Sequence, residues 1–319
     1  MLSRTADHLF WMARYVERAE NTARMLNVNV ETALLPQPPA SVEQMWRATL
    51  SISELQDLFE GKSRPLNQKE VLDFMVCDPD NPSSIASCLH QARENAKAVR
   101  GALTSEVWEV HNATWLKLHE HLQSGLYSYD PGQFFEWVKY RSHLSRGVTL
   151  GTMLKDESLH FLRLGTFLER ADNTARLIDV KFHGAPYSNG ELEEQESAPV
   201  DFYYWTSLLR SVSAFEIYRK VYRDVITPHR VAELLMLDPQ MPRSLSACLE
   251  EVVDNLARIS NSSSRDTERL TGKLHAELKF ARIEEILEAG LHEYLNRFLE
   301  KIYEIGNGIT RSFLMPLNA

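Results

Sequence analysis

Glutamate, asparagine and arginine recur at helical spacing near the start of this chain. Glu17, Asn21 and Arg24 stand at i, i+4 and i+7, with Arg18 and Glu20 between them. Such a set has two chemical uses. Arginine forks hold a carboxylate or phosphate bidentately while a nearby acid takes or gives a proton. Alternatively the same charges pair with one another in a buried network that fixes register more than it adds stability. The block then occurs a second time. Residues 15–27 read YVERAENTARMLN and residues 167–179 read FLERADNTARLID, with seven of thirteen pairs identical. The second copy supplies Glu169, Arg170, Asp172, Asn173 and Arg176. These ten residues are the candidates for a polar network or a substrate site, and spacing alone leaves both uses open.

A helical wheel sharpens the problem. Leu9, Met12, Val16, Ala19, Ala23 and Leu26 form one apolar stripe, and Phe10 and Val28 add a second apolar side. Glu17, Asn21 and Arg24 run between the two, and Glu20 and Asn27 fall near the centre of the stripe. Charges in such places must be paired or line a wet cavity. The pairing expected is Glu17 with Arg24 along the helix, or either with its counterpart in the other copy.

The secondary candidates are His8, Glu157 and His160. The two histidines recur in register and read as core or pairing residues. Glu157 and His160 spell ExxH, but a di-metal carboxylate site needs two such pairs and two further acids. Only one occurs among eleven histidines, and Thr5 stands at the equivalent of Glu157, so no metal site is expected. Trp108, near Trp115, His111 and Asn112, is assigned to the core. Asp78, Pro79, Pro82 and Ser84 recur as Asp238, Pro239, Pro242 and Ser244. This DPxxPxS pattern reads as a turn followed by a serine N-cap.

Helices must position these groups. Segments 4–34, 41–60, 83–103, 105–124, 133–181, 200–224, 243–262 and 265–314 have helical apolar spacing. Breakers lie at 35–40, 61–65, 78–84, 129–133, 183–199 and 238–244. Asn67 with Glu70, and Thr227 before Pro228, read as further N-caps. The expectation is an all-α fold, a pseudo-twofold helical bundle from an internal duplication. Residues 1–319 form one unit of two repeats, about 8–112 and 160–261, with less related helices over 113–159 and 262–319. The two motif helices are expected at its centre.

Composition sets bounds on function. The 319 residues are 44% hydrophobic and 25% charged, an ordinary globular balance. A net charge of -9 argues against nucleic acid as main partner. No apolar run is long enough to span a bilayer and the N-terminus lacks a signal-peptide core, so a cytoplasmic protein without a membrane partner is expected. Cys77, Cys88 and Cys248 fit reduced, mostly buried thiols. There is no Gly-rich phosphate loop, GxSxG, HExxH or dinucleotide fingerprint. The ELEEQE run at 191–196 reads as solvated.

Three stretches then carry a family resemblance: SRTADHLFWMARYVERAENTARML (3–26), ARENAKAVRGALTSEVWEVHN (92–112) and TMLKDESLHFLRLGTFLERADNTARLID (152–179). Together with DPxxPxS, and over most of its length, the chain resembles the alpha-E family, an all-helical domain with an ER motif. One segment departs from that pattern: DESL stands where DEGW is expected, so no role rests on Ser158 or Leu159. The resemblance implies a companion of circularly permuted ATP-grasp proteins, often found with transglutaminase-like peptidases. ATP-grasp enzymes activate a carboxylate as an acyl phosphate for attack by an amine. The implied system therefore makes or modifies a peptide or amide, with ATP and Mg on the ATP-grasp partner and no cofactor in this chain. Within it the ER-motif helices would bind the partner and an anionic peptide-like substrate. The alternative is a purely structural scaffold whose ER motif is a buried ion-pair network.

Overall fold

The computed structural model describes residues 1–183 and 198–315, and among them it contains sixteen α-helices and no strand. The fold is all-α, as the apolar spacing requires. The first eight helices are α1 (Ser3–Ala33), α2 (Pro39–Ile52), α3 (Gln56–Glu60), α4 (Gln68–Val76), α5 (Ile85–Ala98), α6 (Ser105–Ser124), α7 (Leu126–Tyr129) and α8 (Pro131–Thr152). The second eight are α9 (Glu157–His183), α10 (Ala198–Ser211), α11 (Phe215–Tyr222), α12 (Pro228–Met236), α13 (Leu245–Arg258), α14 (Arg265–Lys279), α15 (Ile283–Ala289) and α16 (Leu291–Ile309).

The four expected caps form. Asn67, Ser84, Thr227 and Ser244 each accept a hydrogen bond from the backbone N–H three residues on. Several long helical segments are divided, however. The segment 133–181 breaks after Thr152, because Met153 is extended and Asp156 accepts from the N–H groups of Ser158 and Leu159, starting α9 afresh. Segments 41–60 and 200–224 break at Glu54 and Ser213, both at φ 54°. Segment 265–314 divides into α14, α15 and α16. The ELEEQE run lies outside the described residues.

Helix α1 belongs to both hydrophobic cores. Its N-terminal half, with Leu9, Phe10, Met12 and Val16, packs into a cluster built mainly from α9 to α16. Its C-terminal half, with Ala19, Ala23, Leu26 and Val30, packs into a cluster from α2 to α8. The polar motif sits where the two clusters meet. The most extensive packing is α1 on α9. Helices α5 and α8 lie on α1 as α13 and α16 lie on α9, and α6 lies on α5 as α14 lies on α13. Helix α2 reaches across to α9, while α10 reaches across to α1.

One glycine sets the α1–α9 distance. A Cβ on Gly165 would stand 2.2 Å from the backbone oxygen of Phe10 and 3.2 Å from the Cβ of Ala13. The absence of a side chain there lets the two helices approach closely beside the Arg–Glu pairs that join them.

Candidate functional site

The two ER dipeptides pair crosswise between α1 and α9. Arg170 donates to Glu17 through Nε and Nη2, each at 2.9 Å. Arg18 donates to Glu169 through Nε at 2.6 Å and Nη2 at 3.1 Å. Both are bidentate forks, the strongest geometry for this pair of groups. Glu17, Glu169 and Arg170 are all buried, so these pairs are shielded from solvent screening. Along each helix the next acid and arginine also pair. Arg24 donates to Glu20 at 2.9 and 2.7 Å, and Arg176 to Asp172 at 3.0 and 3.1 Å. The i, i+4 pair on α1 is thus Glu20–Arg24, not the expected Glu17–Arg24, because residues four apart are neighbours about one turn along the helix, whereas residues seven apart are separated by about two turns.

Around Glu17 and Glu20 the balance of charge is uneven. Arg243, in the turn before α13, donates to Glu17 at 2.7 Å, to Asn21 Oδ1 at 2.8 Å and to Glu20 at 2.6 Å. Arg146 of α8 donates through Nη1 to Glu17 at 3.1 Å, to Glu20, and to the Ser142 hydroxyl at 3.0 Å. Four arginines therefore meet two carboxylates. Burial alone would raise the Glu17 carboxyl, but Arg170 and Arg243 outweigh it and hold it below its ordinary range. Glu20 is likewise buried, and Arg243, a hydrogen bond from His143 and Arg146 hold it well below that range. Both stay ionised at neutral pH. They orient arginines; they do not give up protons.

Arg146 is the exception among these arginines. Its side chain is 29% exposed, and among the described residues only Nη1 makes hydrogen bonds. Its Nε and Nη2 edge remains for another acceptor. Arg146 also lines a cavity of about 150 Å³ between α1, α6, α8 and α9, together with Glu17, Arg170, Arg163 and His111. Leu150, 56% exposed, marks its mouth. Burial and Arg141 push the His111 imidazole down to about 4, so it is neutral at neutral pH, with Nε2 3.2 Å from the Ser145 hydroxyl.

Around Glu169 and Asp172 three arginines meet three carboxylates: Arg14, Arg18 and Arg176 against Glu169, Asp172 and Glu54. Burial would raise Glu169, yet Arg14 and Arg18 bring it down to about 2. Asp172 differs, since burial raises its carboxyl and Arg176 does not fully offset it. A second cavity of about 150 Å³ opens here, lined by Asn21, Thr22, Ser83, Glu169, Asp172 and Asn173 among others.

The secondary candidates are held in structural contacts. His8 Nδ1 lies 2.7 Å from Asn95 Oδ1, and His160 Nδ1 lies 2.8 Å from Asn255 Oδ1. Glu157 is 52% exposed and accepts from the Met1 amino group. Trp108, assigned to the core, packs on it only in part, with Arg93 and Arg100 over its ring at 5.8 and 5.4 Å. Arg14, Arg146 and Arg243 do not figure among the sequence candidates. Arg14 and Arg243 had a signal, since each stands where the matching stretch has a neutral residue, Thr166 and Ser83. Arg146 had none, because it lies outside both matched stretches.

A family model, Alpha-E, described as a predicted alpha-helical domain with a conserved ER motif, matches residues 1–314. The chain belongs to the Alpha-E family. The ER dipeptides of this Alpha-E chain are Glu17-Arg18 and Glu169-Arg170, the four residues that pair crosswise. An uncharacterized protein of Mycobacterium bovis and two of Mycobacterium tuberculosis are each 24% identical to it over 321 residues. The match covers 94% of the Alpha-E chain but 35% of each relative, so the chain spans about a third of the length of these curated relatives. No solved structure matches it. No helix among the described residues is long and apolar enough to cross a membrane.

Proposed function

We propose that this chain is the helical component of an ATP-grasp-associated system for amide or peptide ligation or peptide modification. It binds the circularly permuted ATP-grasp partner and holds the anionic end of a peptide-like substrate. ATP and Mg belong to that partner, and a transglutaminase-like peptidase is a second candidate companion. The substrate carboxylate, or the acyl phosphate made from it, is the group that a guanidinium fork recognises.

The observation that carries this reading is Arg146. It has an unused donor edge, partial exposure and a place on the wall of a cavity that reaches solvent. The surplus of arginines around Glu17 and Glu20 supplies the field that favours an anion there. The mycobacterial relatives, which extend well beyond the matched region, are consistent with a helical component that works alongside further protein.

The rival reading is a structural scaffold, and the buried crossed pairs favour it for the ER dipeptides themselves. Both roles fit together if the ER pairs lock α1 to α9 and Arg146 takes the ligand. Titration calorimetry with N-acetyl-alanyl-alanine, and separately with inorganic phosphate, tests the site. Wild type should bind, and Arg146→Gln should weaken binding by about tenfold or more, the size of a lost charged hydrogen bond, when measured well below the variant's own Tm, which the lost bonds to Glu17 and Glu20 lower. Equal binding by the variant, or a fall in Tm that accounts for the loss, defeats the site. Failure to co-purify with an ATP-grasp protein encoded beside it, both at micromolar concentration, defeats the partnership.

A further inference from the structure

The matching stretches differ at one position where the difference leaves a space. Arg243 and Ser83 both directly precede the N-cap serine of the DPxxPxS turn, Ser244 in one stretch and Ser84 in the other. Arg243 reaches into the α1 side and its guanidinium is held by Glu17, Glu20 and Asn21, while its backbone oxygen accepts from Thr174. The counterparts of those four residues are Glu169, Asp172, Asn173 and Thr22. All four line the second cavity, and so do Ser83 and two arginines, Arg18 and Arg176, that already pair with Glu169 and Asp172. The cavity is the place where the turn would put a guanidinium if residue 83 were arginine.

Three further observations fit a missing cation. The cavity, about 150 Å³, far exceeds the roughly 10–15 Å³ that one water occupies. Of the four motif carboxylates, Asp172 is the one whose charged form the surrounding arginines leave under-compensated. Three carboxylates face three arginines here, against two facing four on the other side, so one more positive charge leaves this side less positive than the other already is. The cavity also has a donor to offer. Asn21, 5% exposed, spends Oδ1 on Arg243, and its buried Nδ2 has no partner among the described residues. A carbonyl oxygen beside the guanidinium would satisfy it. Glu54, 68% exposed, stands at the entrance.

We infer that the cavity walled by Glu169, Asp172 and Asn173 binds the guanidinium of an arginine residue presented by a peptide, in the place that Arg243 fills on the other side. Arg243 is then an intramolecular copy of the ligand. This site is separate from the Arg146 cavity and does not rest on the function proposed above.

The probe is N-acetyl-L-arginine amide, followed by titration calorimetry or NMR in the millimolar range, against N-acetyl-L-lysine amide and methylguanidinium. The arginine amide should bind more tightly than either. Lysine amide binding equally well refutes a guanidinium site, and methylguanidinium binding equally well refutes the peptide part. Ser83→Arg supplies the guanidinium from within the chain, so it should abolish binding without lowering Tm. Should Ser83→Arg fail to fold, the cavity does not accept a guanidinium and the inference fails. Asp172→Asn should weaken arginine-amide binding by about tenfold, as loss of one charged partner does. Undiminished binding by a folded Ser83→Arg variant, or no binding by wild type, overturns the assignment.

Discussion

At the scale of single residues, the molecule depends on carboxylates that burial alone would neutralise. Glu169 is the clearest case. Its folded value of about 2 lies below the ordinary 4.5, because Arg14 and Arg18 outweigh the cost of burial. A depressed carboxylate adds stability that is fully present above the unfolded value and is lost as pH falls through the folded value. For Glu169 the window runs from about 4.5 down to about 2, and the contribution is about 3 kcal/mol by the pKa difference. Glu169→Gln should therefore destabilise the protein at pH 7 by roughly 3–5 kcal/mol, as removal of one partner of a buried pair does. It should also flatten the acid limb of stability against pH. Urea titrations at pH 7, 4 and 3 measure both effects, and a variant with the wild-type pH slope would remove Glu169 from the network. The charged types of the motif residues were legible from the chain, as was their position on an otherwise apolar face. Their partners on other helices were not, since the choice of Arg170 for Glu17, and of Arg18 for Glu169, is made by how α1 and α9 pack.

Elements decide whether those residues can meet. The packing of α1 against α9 needs a flat contact at Gly165, where the facing atom is the Phe10 carbonyl oxygen and cannot swing aside as a flexible side chain would. Gly165→Ala should destabilise by about 1–3 kcal/mol, the usual range for overpacking. The helices would separate near the crossed pairs, so the loss should shrink in a Glu17→Gln background, where there is less to lose. A double-mutant cycle by urea denaturation reads that coupling, and strict additivity would show that the close approach does not serve the pairs. Helix existence and the four caps followed from apolar spacing and side-chain chemistry. The break at Met153–Asp156 was written in the chain as an Asp N-cap, but the strong apolar period on either side masks it. The breaks at Glu54 and Ser213 carry no glycine or proline; each of these residues takes positive φ as the left-handed close of a helix, and the N–H of the next residue, Leu55 or Ala214, donates to the backbone oxygen of Leu50 or Leu209.

For the whole molecule the decisive fact is that α1 runs through both hydrophobic clusters while α2 and α10 each pack on the other stretch's long helix. The two clusters share α1, whose N-terminal half packs in one and C-terminal half in the other. Thermal unfolding should then be a single transition, with far-ultraviolet dichroism and tryptophan fluorescence giving the same midpoint and calorimetric and van't Hoff enthalpies agreeing. Two separated transitions would mean that the clusters are independent. The tryptophans are placed to report on both, Trp46 being buried in one cluster and Trp205 in the other.

The sequence by itself determined that the chain is helical, that it carries two matching charged helices, and that those charges sit where a helix should be apolar. Periodicity, capping and self-similarity are local properties, and local chemistry sets them. Only the tertiary structure decided which acid meets which arginine between helices. It also showed that Arg146 and Arg243 come from distant elements to leave one side rich in arginine, and that Ser83 leaves a space on the other. Those outcomes depend on where side chains far apart in the chain end in space, and helical spacing carries no information about that.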